Sequence, residues 1–150
     1  MAERERIGDQ MKRAFEGDAW HGPAVREVLD GVTAAQAGKR IIPDAHTIGE
    51  LVLHMACWKD VVRRRLAGEK VQVSDAENFP KLAPGDAAWR AAKEGLDRAH
   101  QDLMAAVQSL DESKLDKPLV PGGSAGYVQL HGIIQHDLYH AGQIAILKKG

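Results

Sequence analysis

In "QHDLYHAGQIAILKK", near the end of the chain, His136 and His140 stand four residues apart in an otherwise apolar stretch. Imidazoles at i and i+4 share one face of a helix. They can give a divalent metal two nitrogen ligands, with a third supplied by a facing helix. Taken alone, the pair fits equally well with two core histidines, each holding its own hydrogen-bond partner. His54, in "HTIGELVLHMACW", adds weight to the shared site. Leu51, His54, Met55, Trp58 and Val62 fall on one helical stripe. Ile133, His136, His140, Ile144 and Leu147 fall on another, flanked by Leu130, Ile134, Leu138, Ala141 and Ala145. All three imidazoles therefore point toward a core. An unpaired buried polar group costs about 1–3 kcal/mol, and one cation shared by three histidines would remove that cost at once.

Three neutral imidazoles on a divalent ion leave at least one coordination position open, as catalytic sites do. Zn, Ni and Fe all accept imidazole, so the donor set does not name the metal. Two chemistries fit an open position. A low-molecular-weight thiol could be held as thiolate and attack an electrophile, or a water could be activated to hydrolyse an ester or amide. A non-catalytic metal-binding or stress-response protein is the reading from a different class. "HDLYH" departs from the H-E-x-x-H zinc protease motif, because Asp137 is one methylene shorter than the glutamate that acts there as base. Around the three histidines, Glu50 lies one turn before His54 and could orient its ring, although a capping role competes for it. Cys57, Tyr139, Gln143, Gln135 and His21 are further candidates for the pocket, with Cys57 better read as a small buried thiol. His46 reads as local capping or surface, and His100 as surface. His131 is turned about 140° from His136 and should not join it.

Helices must position these residues, since strand alternation is weak throughout. The clearest element is "WRAAKEGLDRAHQDLMAAVQSL", where Trp89, Ala92, Leu96, Ala99, Leu103, Ala106 and Leu110 recur at spacings of 3 and 4 behind Asp86 as N-cap. A second helix opens with the T-x-x-E capping box of Thr47 and Glu50 and ends at Arg63–Arg65 and Gly68. A third runs from about Tyr127 to Lys148, after "VPGGSAG". One helix precedes Gly17, and Pro23 opens another. Residues 69–85 and 111–126 read as loops. The expected fold is all-α, a single domain over residues 1–150 arranged as an up-down four-helix bundle whose loops permit a crossover.

The composition agrees. The 150 residues carry a formal net charge of -1 with no basic block, which disfavours nucleic acid and anionic membrane as partners. No run approaches the roughly 20 apolar residues of a membrane span. With a charged start and one cysteine, the composition suits a bacterial-type cytoplasm.

The two histidine-bearing stretches, with "AWHGP" early in the chain, resemble the DinB/YfiT-like family of metal-dependent proteins. The resemblance implies a four-helix bundle, often a homodimer, binding a divalent metal through the positions of His54, His136 and His140. Characterised relatives include S-transferases and isomerases that use bacillithiol or mycothiol. For this chain it implies a small-molecule substrate and a thiol co-substrate. The dimer has weak support in the residues themselves, as Trp20, Trp58 and Trp89 could supply apolar surface for an interface.

Overall fold

The seam expected over residues 89–110 lies on a 23-residue helix, Asp86–Gln108, with one change of register. The buried positions are Trp89, Ala92, Leu96, His100, Leu103, Val107 and Leu110, so His100 and Val107 take the places expected for Ala99 and Ala106. A strict alternation of 3 and 4 assumes 3.5 residues per turn, whereas a straight helix has 3.6 and drifts off that stripe. The drift carries His100 from the expected surface into the core, where it is 0% exposed. Asp86 is the first helical residue rather than the cap. Gly85 takes the cap position at a φ of 101°, in the left-handed region that glycine enters freely.

This computed structural model describes Met1–Gly150 and contains α-helices, one 3-10 turn and no β-strand. The helices are α1 (Glu3–Glu16), α2 (Val25–Leu29), α3 (Ala34–Gly38), α4 (Ile48–Leu66), α5 (Asp75–Asn78), α6 (Asp86–Gln108) and α7 (Gly126–Leu147). Pro23 lies just before the cap of α2, and Thr33 caps the short α3 by accepting from the Gln36 amide. The loops expected at 69–85 and 111–126 also hold α5 and a 3-10 turn at Glu112–Lys114. Both are single turns fixed by side-chain caps, Ser74 in one and Asp111 in the other.

Four long helices make the bundle, with α4 and α1 each packing on both α6 and α7. Two apolar clusters give the helix directions. One joins the end of α1 (Phe15), the starts of α4 (Ile48, Leu51) and α6 (Trp89, Ala92), and the end of α7 (Ile144, Leu147). The other joins the start of α1 (Ile7, Met11), the ends of α4 (Val62, Leu66) and α6 (Val107, Leu110), and the start of α7 (Leu130, Ile133). Thus α4 and α6 run parallel, with α1 and α7 opposed to them. The order is up-down-down-up, and the crossover falls between α4 and α6. That connection must travel the length of the bundle along the outside of α4, and it is the one that reaches the histidines.

The tryptophans divide differently from the expectation of spare apolar surface. Trp89 is 4% exposed and donates Nε1–H to the Val32 carbonyl at 2.8 Å. Trp58 is half-buried, and only Trp20 stands fully in solvent.

Candidate metal centre

Thr47 and Glu50 form the expected capping box, Thr47 accepting from the Glu50 amide and Glu50 from the Thr47 amide. This fixes the first turn of α4 and places His54 one turn further in, facing α7. His136 and His140 meet it there. His136 Nε2 lies 2.9 Å from His54 Nε2 and 3.1 Å from His140 Nε2. The three rings form the one group of acidic, cysteine or histidine side chains in the chain with metal-ligand spacing.

Hydrogen bonds on the far side of two rings set their tautomers. His54 Nδ1–H donates to the Asn78 carbonyl at 2.7 Å, and a carbonyl can only accept. His140 Nδ1–H donates to Gln143 Oε1 at 2.6 Å. Both Nε2 atoms are therefore lone pairs, and both face His136 Nε2. A neutral His136 has one N–H and can satisfy only one of these neighbours, and its own Nδ1 is buried without a partner. Protons alone cannot reconcile the three rings. A cation accepting three lone pairs would reconcile the three Nε2 atoms, with the one proton of a neutral His136 moved to Nδ1. The residues present fit a divalent metal.

The crossover supplies much of this geometry. Asn78 closes α5, and besides holding His54 it accepts Trp58 Nε1–H on its side-chain oxygen at 2.8 Å. Phe79 stacks flat on the His54 ring, with centroids 3.9 Å apart. His46, exposed as expected, stacks on the other face of Phe79 at 3.6 Å and so backs the outer wall of the site. The returning chain crosses α4 closely at Gly49, where a Cβ would run into the Leu82 side chain and crowd the Ala37 carbonyl. Any larger residue there would push the crossover off the histidine-bearing face.

Burial strips water from the imidazoles and lowers their basicity. His136 is pushed down to about 3, by burial first and then by the two neighbouring histidines and Lys59. Burial lowers His54 and His140 as well. All three stay neutral at physiological pH, which is the form that ligates a metal.

The other candidates sort by contact. Gln143 holds His140, in the orienting role expected of residues behind a ligand. Tyr139 is exposed and presents its ring to the His140 edge at 5.2 Å. Glu50 does not orient His54, which is a correction to the expectation. Its buried carboxylate is consumed by the Thr47 amide, Arg40 at 2.7 Å, Lys81 at 2.7 Å and His46 at 3.3 Å. Burial works to raise its pKa, and these partners outweigh it and hold the group at about 2. Cys57 stands outside the histidine group, and burial pushes its thiol up and away from reactivity. His21 is exposed and bonds the Pro23 carbonyl on the α1–α2 connection. His131 packs on Tyr127, and Gln135 is exposed.

Charges inside the bundle gave no signal in the sequence. Lys59 and Asp137, both 0% exposed, pair at 2.6 Å beside His100, between the two apolar clusters. Asp137, which stands between the two histidines in sequence, therefore turns away from them. His100, stacked on Phe15 at 4.0 Å, is held down to about 3 by burial, with Lys59 and Arg26 adding to the effect.

A pH dependence follows. His100 titrates at about 3 in the fold, against 6.5 for an ordinary histidine. Between those values the unfolded chain binds a proton that the native state refuses. This part of the stability is complete above pH 6.5 and is lost as pH falls toward 3, by up to about 1.4 kcal/mol per pH unit. Glu50, lowered from 4.5, acts only in a more acidic window. Urea unfolding of the metal-free protein should therefore show stability declining from pH 6.5 to 5. A flat profile across that range would contradict the burial of neutral histidines.

A four-helix bundle of up-down-down-up order, with three imidazoles converging from its second and fourth long helices, is a scaffold compatible with metal binding. The chain belongs to the DinB superfamily, whose family model matches residues 19–144. Neither the curated proteins nor the solved structures contain a match to it. No helix is long and apolar enough to cross a membrane.

Proposed function

We propose that the protein is a metal-dependent enzyme of S-transferase type, holding one divalent ion on the Nε2 atoms of His54, His136 and His140. The observation that carries this reading is the convergence of three imidazoles whose protons cannot satisfy one another. A divalent ion bound there would supply an open Lewis-acidic position at which a small-molecule thiol stays deprotonated near neutral pH. The chain's part is to hold three neutral donors, with Asn78 and Gln143 fixing two of the rings and Phe79 covering one face of His54. A cavity of about 340 Å³ adjoins Gln143 and is walled by Ile42, Leu51, Ile146 and His46, which suits a small, partly apolar substrate.

The buried carboxylates favour thiol chemistry over hydrolysis. Amide hydrolysis needs an acid to protonate the leaving group. The buried carboxylates of this region are committed elsewhere, Glu50 to its cations and Asp137 to Lys59, and Asp44, on the cavity wall, is exposed to solvent. Attack by a thiolate needs no such group. Loading the protein with Co(II) and titrating small thiols should therefore produce sulfur-to-cobalt charge-transfer absorption, absent in the His136→Ala protein. A spectrum that ignores every thiol, alongside hydrolysis of activated esters, would reverse this choice. Because two apolar clusters hold the bundle, chelation should lower the melting temperature and leave the helical circular dichroism in place. Loss of that signal would assign the metal a structural role.

A further inference from the structure

The midsection of the bundle holds charges where apolar packing would be expected. Lys59 on α4 and Asp137 on α7 are both fully buried and joined at 2.6 Å, with Lys59 Nζ 3.5 Å from His100 Nδ1 and 4.8 Å from the Phe15 ring centre. His100 Nε2 in turn approaches Glu16 Oε1 at 3.4 Å. A buried ion pair of this kind is commonly no more stabilising than well-packed apolar residues of the same volume. Stability does not account for it. The layer is also imperfectly satisfied, with His100 Nε2 and Asp137 Oδ1 among the three buried polar atoms lacking a partner.

Its position does account for it. Lys59 is five residues from His54 on α4, and Asp137 is next to His136 and one turn from His140 on α7. These are the two helices that must bring three Nε2 atoms to about 3 Å, and their contact is antiparallel and largely apolar, with one other side-chain bond at its far end, Arg65 to Gln129 at 3.4 Å. Apolar side chains tolerate small slides and rotations. A one-residue slip moves a helix by about 1.5 Å and turns a side chain by about 100°, whereas a ligand set needs placement within about 0.5 Å. A short charged contact in a dry core has one acceptable geometry, and a single buried polar contact setting the register of two helices is the best-attested role for such groups.

We infer that the Lys59–Asp137 pair is a positioning device that fixes α4 against α7, so that His54 meets His136 and His140. This rests on the metal reading for its purpose, but its effect on the rings can be observed without any metal. Two variants test it. Lys59→Met/Asp137→Val removes both charges, and Asp137→Glu keeps them but lengthens the contact by one methylene. Both are compared with the wild type in the chelated form by NMR, reading ring-to-ring contacts between His54 and His136 and the protected Nδ1–H signals of His54 and His140. They are then compared by Co(II) affinity and thermal unfolding. The expected result is a folded protein with a melting temperature near or above the wild type for the double variant. Weakened ring contacts and at least tenfold weaker Co(II) binding are expected in both. Wild-type ring contacts in either folded variant would overturn the inference, whatever metal the parent binds. A double variant that fails to fold, together with an Asp137→Glu protein that keeps wild-type contacts, would make the pair a stability element instead. A wild type with the ring contacts but no metal would reject the metal reading and leave the positioning role standing.

Discussion

Replacing His136 or His140 with alanine is expected to take bound metal from one equivalent to none detectable, and His54→Ala should weaken binding at least about a hundredfold. Loss of a residue that merely orients a ligand typically costs 10–100-fold, and these changes remove the ligand itself. The two α7 histidines share one helix and stand at a fixed spacing, so either loss leaves a two-nitrogen site across two helices. Removing His54 also deletes the ring that anchors Asn78 and Phe79, loosening the crossover over the site. The bundle should survive each change, because the two apolar clusters that hold it are built from other residues. Elemental analysis of protein purified without an affinity tag reads the result, with circular dichroism as the control for folding. Full metal content in both α7 variants would refute the assignment.

Lys59→Met alone should be the most damaging single change to stability, at about 3–5 kcal/mol. It leaves the Asp137 carboxyl in a dry core without its counter-ion, which is the costly half of a buried pair to break. For a chain of this length each kcal/mol corresponds to about 2–4 °C, so the melting temperature should fall by roughly 10 °C or more. Urea unfolding at pH 7 measures this directly. A loss below about 1 kcal/mol would mean that Lys59 and Asp137 are not buried together. The contrast with the double variant, which removes both charges, separates the cost of a stranded carboxyl from the value of the pair.

His54, His136 and His140 were readable because imidazole on an apolar stripe conflicts with the helical period, and such conflict marks a functional position. The long helices were readable for the same reason that the directions of α4 and α6 were not. Periodicity reports which face is buried and says nothing of which neighbour covers it. The crossover was marked by Gly, Pro and Asp, but its decisive contribution is the backbone carbonyl of Asn78, and no residue type announces a carbonyl that will accept from a histidine. Phe79 and His46 join the site by stacking, a long-range contact with no sequence spacing. Lys59 and Asp137 carry ordinary surface residue types, and each is revealed as a core residue only by the other. His100 lies one position off the expected stripe, because a 3.5-residue repeat drifts around a straight 3.6-residue helix.

In the proposed centre three imidazoles share one metal ion and leave it open. X-ray absorption at the metal edge of the loaded, untagged protein tests this most directly. The expected spectrum has three imidazole nitrogens at about 2.0–2.1 Å, with their outer-ring scattering, plus a light atom in the remaining position, and adding a small thiol brings a sulfur to about 2.3 Å. A first shell without three imidazoles, or one closed by four protein ligands that no added thiol enters, would contradict the account.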